Sequence, residues 1–138
     1  MPAVELAPAV HSLPAELDSI GRARRIAAGV GRPLMVRRQL EALELAVSEV
    51  VANAIRHSGS RDAVRLELTP MNDHVCVRVT DGGAGLVPRP GAMASEKGAG
   101  YGLFIVERLT RRWGMTREHG RTRVWFELDY SAPHPSPA

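Results

Sequence analysis

The sequence predicts an α+β domain, a two-layer α/β sandwich in which a mixed, mostly antiparallel sheet carries its helices on one face. Three observations lead there. The adjacent segments AVRLELTP and HVCVRVTD alternate apolar with polar or charged residues, the period of half-buried strands. Of two longer helical stretches before them, one is bounded by Pro14 and the glycines ending at Gly31, and the other repeats apolar residues at helical spacing. The strands also come in groups beside the helices, which suggests a mostly antiparallel or mixed sheet with all helices on one face.

The elements follow in order. Ala9 to Leu13 reads as a short first strand, after which Pro14 opens the helical stretch AELDSIGRARRIAAGVG, closed by Gly29 to Gly31 and Pro33. From Leu34 to His57 a second helix runs without Gly or Pro, with Leu43, Val47, Val50 and Ala54 as its buried stripe. Met71-Asn72-Asp73 joins the two alternating strands as a hairpin. Gly82 to Gly102 lacks periodicity and reads as a long loop, a kind of segment that is usually functional or disordered in a compact domain. A third helix, LFIVERLTRRW, would place Leu103, Val106, Leu109 and Trp113 on one face, and MTREH and TRVWFEL then close the fold as paired strands around Gly120.

At 138 residues the chain has room for one ordinary domain. The expected extent is residues 10–130, with flexible termini over 1–9 and 131–138, which are rich in Pro, Ala and Ser. No apolar run approaches membrane-helix length, and the N-terminus lacks a secretory pattern, so the expectation is a cytoplasmic protein with no membrane partner. The net charge of +3 comes from dispersed arginines, with RARR and MVRR as the local clusters. With two Phe, two Tyr and two Trp there is little material for stacking bases, and direct nucleic-acid binding is not expected. The single Cys76 has no cysteine partner and reads as a core residue.

Three features carry chemistry. On the second helix Glu49, Asn53 and His57 recur every four residues and form a ridge beside the buried stripe. This could be a solvated polar stripe. Asparagine, however, is a mediocre helix former, and beside a core it needs a hydrogen bond or ligand. Asn53 could present an oxygen to Mg²⁺, and Glu49 a carboxylate to a nucleophile. The second feature is Val79-Thr80-Asp81-Gly82-Gly83-Ala84-Gly85. Asp-Gly is a hairpin signal, yet no alternating strand follows; an acid at a strand end, with glycines admitting a flat ring, can instead accept the adenine amino proton. The third is Gly98-Ala99-Gly100-Tyr101-Gly102 leading into a helix. It is either a flexible entry or a cradle of backbone N–H groups for phosphate. Neither a P-loop Gly-Lys-Ser/Thr nor a G-x-G-x-x-G pattern is present there.

Taken in order, E-x-x-x-N on a helix, D-G-G-A-G after a strand and G-A-G-Y-G-L before a helix resemble the GHKL superfamily, whose Bergerat fold binds ATP. More closely, EVVANAIRHS, VTDGGAGL, GYGLFIVERLTRRWGM and TRVWFEL resemble the small stand-alone histidine-kinase-like ATPases of actinobacteria, related to anti-sigma factor serine kinases, over about Leu13 to Leu128. The resemblance implies ATP and Mg²⁺ as cofactors, Asn53 as the Mg²⁺ ligand and Glu49 as general base. It implies Asp81 as the adenine acceptor with Gly83 and Gly85 beside it, and Gly98, Gly100 and Gly102 on the phosphate side. Thr122 would help to hold the adenine through water, while His57, Lys97 and Tyr101 are possible phosphate-side residues.

Two functions follow from it. One is an anti-sigma factor with serine/threonine protein kinase activity, whose partners are a sigma factor and a small STAS-type antagonist, with homodimerisation possible by analogy. The other is a non-catalytic, ATP-gated module that sequesters a transcription regulator, or a slow ATPase using water in place of serine. The arginines of the first helix, Arg22, Arg24 and Arg25, read as a solvated face.

Overall fold

Alternation along the strands decides which side chains enter the core, and a pair of helices decides how the strands meet. The computed structural model describes residues 8–57, 63–81 and 101–131. Its elements are β1 (Ala9–Leu13), α1 (Asp18–Gly31), α2 (Arg37–His57), β2 (Val64–Pro70), β3 (His74–Thr80), α3 (Tyr101–Leu109), β4 (Arg112–Glu118) and β5 (Arg121–Asp129). The strands form one sheet in the order β1-β2-β3-β5-β4. Each of these pairings is antiparallel, where the sequence reading allowed a mixed sheet.

The α1–α2 pair explains the antiparallel start. α1 leaves from the end of β1, and α2 begins at the opposite end of the sheet, where Val36 N–H donates to Tyr130 O at 2.9 Å and Gln39 Nε2 to Asp129 O at 2.9 Å. α2 then returns, so β2 starts with Val64 opposite Leu13. A chain that goes out and back in this way re-enters the sheet antiparallel. Close approach of the two helices depends on Gly31: a Cβ there would lie 2.8 Å from Leu43 Cδ2 and 2.9 Å from Met35 Sδ.

The inward rows Val64, Leu66, Leu68 and Val75, Val77, Val79 are fully or nearly fully buried. They meet the α2 stripe of Leu43, Val47 and Val50, as expected, with Ala54 half-buried at its end. α1 and α3 pack on either side of this layer through Ala23 and Ala27, and through Leu103 and Val106. No described helix is long and apolar enough to cross a membrane.

Three expectations are corrected. The third helix does not reach Trp113: Thr110 turns its hydroxyl back onto Val106 O at 2.6 Å, and Arg111 N–H already donates to Glu127 O at 2.8 Å. Trp113 is instead a partly buried strand residue opposite Phe126, because Gly114 seats β4 beneath the Trp125 ring, where a Cβ would come within 2.7 Å. Helices α1 and α2 each start three residues later than expected, after turns closed by Glu16 N–H to Pro14 O and by Leu34 and Met35 N–H to Gly31 O. Cys76 is not in the core. It takes the outward parity of β3 and is half-buried on the uncovered face, where burial pushes its thiol pKa up.

Of the termini expected to be flexible (1–9 and 131–138) and the expected loop (Gly82 to Gly102), residues 1–7, 132–138 and 82–100 lie outside the described residues, while Ala9 already opens β1 and Tyr101 and Gly102 already belong to α3.

Candidate functional site

The strand parity that buries Val77 and Val79 continues to Asp81, which therefore points to the helix-bearing side. The same parity in β5 carries Val124 and Phe126 inward, and with them Thr122. Asp81 and Thr122 face each other across the ladder. Asp81 N–H donates to Thr122 O at 3.0 Å, and Thr122 N–H donates to Asp81 Oδ1 at 3.3 Å. One carboxylate oxygen is thus fixed by backbone, and the other has no protein donor among the described residues.

Asp81 is only 8% exposed. A carboxylate so enclosed and served by one donor is costly unless a further donor arrives. An exocyclic amino group fits that requirement. The hairpin alternative for Asp81-Gly82 fails on topology: both edges of β3 are occupied, by β2 and β5, leaving no place for a strand returning directly from Gly82.

α2 supplies the second part. From Gln39, tied to Asp129, to Asn53 the helix rises about 21 Å at 1.5 Å per residue. From His74, opposite Asp129, to Asp81 β3 advances about 24 Å. Asn53 and Asp81 are therefore carried to the same end of the sheet. Asn53 is 8% exposed, and its carboxamide has no hydrogen-bond partner among the described residues. Buried side-chain amides are normally paired. An orphaned oxygen at the Asp81 end is what a cation held between protein and phosphates would use. Glu49, one turn earlier, is half-buried and carries no ion pair or hydrogen bond among the described residues. His57 ends α2, and its side chain is not described.

α3 completes the arrangement. Its C-terminus leads into Arg111, bonded to Glu127 O at the far end, so its N-terminus at Tyr101 and Gly102 is directed back toward the Asp81 end. The open N–H groups and dipole of that terminus favour an anion. Of the other expected site residues, Gly83, Gly85, Lys97, Gly98 and Gly100 lie outside the described residues. What the structure brings to one end is Asn53, Asp81, Thr122 and the start of α3, with Glu49 a turn away.

Sequence reasoning missed a concavity on the opposite face of the sheet. About 380 Å³ in volume, it is lined by Arg65, Thr80, Thr116, His119, Arg121 and Arg123. The signal was available: in each strand these arginines hold the outward parity, but only the strand order brings them together.

The family described as histidine kinase-like ATPase domain matches residues 13–128. Among solved structures the chain is similar to the RsbU and RsbW domains of a Mycobacterium tuberculosis protein, with a TM-score of 0.71 at 17% identity. That likeness covers 96% of this chain and 35% of the other, so this chain spans about a third of its neighbour's length, and at such identity it shows the fold. A search of curated proteins finds no match. With the family match running from the end of β1 to the end of β5, the chain belongs to the histidine kinase-like ATPase domain family.

Proposed function

We propose that this domain binds Mg-ATP and acts as an anti-sigma factor with serine/threonine protein kinase activity, sequestering a sigma factor and phosphorylating a small STAS-type antagonist. The observation that carries the nucleotide part is Asp81: buried, locked by the Thr122 N–H through one oxygen, and open at the other. The regulatory part rests on the family, on the sequence resemblance and on the fold shared with an RsbW domain.

In this reading the free oxygen of Asp81 would accept a hydrogen bond from the adenine amino group. Asn53 would hold the cation through its carboxamide oxygen, and the N–H groups opening α3 would serve the phosphates. Mg-ATP, when bound, supplies the γ-phosphoryl group and the charge neutralisation that transfer requires. Glu49 would accept the proton of the incoming serine hydroxyl as that oxygen bonds to the γ-phosphorus and the bond to the departing ADP breaks.

A second reading has its own observation. Glu49 has no described partner to orient it, which suits a nucleotide-gated binding module as well as a kinase. Glu49→Ala decides between them. The kinase reading expects unchanged ATP affinity with loss of transfer to the antagonist, by roughly a hundredfold or more for a general base, measured with radiolabelled ATP. Transfer at the wild-type rate by the variant would remove Glu49 from the chemistry; capture of the partner with ATP but no transfer by either protein would favour the module.

A further inference from the structure

We propose that the outer face of the sheet carries a docking site for an acidic, extended segment of a protein partner, built on Arg65, Arg121 and Arg123. The strand register places Ser12, Arg65, Thr80, Arg123 and Thr116 in one row across the five strands. Arg121 lies on the same face two residues along β5, about 7 Å away at strand spacing. Arg65, Arg121 and Arg123 are exposed and border the concavity of about 380 Å³.

Charge pairing separates this row from its neighbours. In the next row Arg78 lies 4.0 Å from Glu67, and beyond it Arg112 lies 3.5 Å from Glu127. Arg65, Arg121 and Arg123 have no carboxylate partner among the described residues. Arg123 instead donates from Nε to Thr80 Oγ1 at 3.4 Å, which leans it across β3 toward Arg65. Three like charges side by side add nothing to the fold, and the guanidinium fork matches a carboxylate in a bidentate manner.

The shape selects the occupant. The concavity is open to solvent, where each ion pair is weak, so a single small anion gains too little to be held. An extended acidic segment engages several arginines at once. Its carboxylates at alternate positions fall about 7 Å apart, and Arg65 and Arg123 stand on strands about 10 Å apart, one on each side of β3. A second copy of this chain is disfavoured, because the described carboxylates of its own outer face, Glu67 and Glu127, are already paired with Arg78 and Arg112.

The site does not depend on the nucleotide reading, although Thr80, Arg121 and Arg123 are chain neighbours of Asp81 and Thr122. The test uses the whole chain and three fluorescent probes: a short Asp/Glu peptide, its Asn/Gln counterpart and a short oligothymidylate. The acidic peptide is expected to bind by anisotropy, with the Thr80 and Thr116 amides shifting in NMR spectra. Affinity should fall about tenfold or more in Arg65→Glu/Arg123→Glu, and likewise on raising salt several-fold. Arg65→Gln/Arg123→Gln serves if the reversal variant melts early, and ATP affinity is measured alongside so that loss of the two sites is told apart. Equal binding of the neutral peptide, preference for the oligonucleotide, displacement of the peptide by inorganic phosphate at matched ionic strength, or unchanged binding in a folded variant would overturn the proposal.

Discussion

Replacing Asp81 by Asn should separate folding from nucleotide binding at one atom. In the protein, Oδ1 accepts the Thr122 N–H at 3.3 Å, and the side chain is 8% exposed. The amide keeps an oxygen for Thr122 and puts an NH₂ group where the second carboxylate oxygen was. Toward adenine this sets donor against donor. A hydrogen bond to a charged acceptor is worth about 1.5–3 kcal/mol, and about 1.4 kcal/mol is tenfold in affinity, so the Kd for ATP should rise about 10- to 150-fold. Stability should stay within about 1 kcal/mol, because the Thr122 bond survives and a buried charge is removed. Calorimetric titration with ATP and a thermal melt read the two quantities. Purine riboside triphosphate, which lacks the amino group, adds a cycle: it should bind the wild type weakly and be almost indifferent to the substitution. A folded Asp81→Asn variant with wild-type ATP affinity, or a cycle in which the two changes simply add, would show that Asp81 does not read the base.

Two other substitutions test the surroundings. Asn53→Leu removes a buried carboxamide that has no described partner, so ligand-free stability in urea should hold or rise by about 1 kcal/mol, while Mg²⁺ ceases to strengthen ATP binding; a marked loss of stability would reveal a structural role instead. The Asp73 carboxyl is held below its ordinary value by its hydrogen bond with His74, which outweighs desolvation, and further by Arg111. A depressed carboxyl contributes stability that is fully present above the unfolded value and is lost as pH falls through the folded one. Asp73→Asn should therefore flatten the acid limb of the stability curve below about pH 4, the unperturbed Asp range, as measured by denaturation at stepped pH.

Much of this architecture could be read before the chain was folded, for specific reasons. Alternation in AVRLELTP and HVCVRVTD depends only on one face being buried, and it placed β2 and β3 to within a residue. Asn53 stood out because its residue type is at odds with its helical position. The end of α3 was not legible, since Leu109 to Trp113 continues a plausible apolar stripe, and what stops it is the Arg111 bond to Glu127, a residue 16 positions on. Cys76 was misplaced by type, because a small sulfur-bearing residue fits either face of a strand. The arginine row was invisible for a different reason. Arg65 and Arg123 are 58 residues apart in the chain and become neighbours only through the β2-β3-β5 order.

The two-residue turn at His119 and Gly120, with φ of 53° and 78°, joins Glu118 directly to Arg121. Both positive φ values match the type I′ geometry that suits a tight hairpin. The turn works as a gauge of chain length. Even-numbered residues at the start of β5 look toward the helices and odd-numbered ones look away, so one added residue that slid β5 by a single position would carry Arg121 or Arg123 into the place of Thr122. A guanidinium would then sit against the Asp81 carboxylate and occupy the oxygen proposed to read adenine. The hairpin holds a cation and the carboxylate it would quench on opposite sides of one sheet, a single residue step apart.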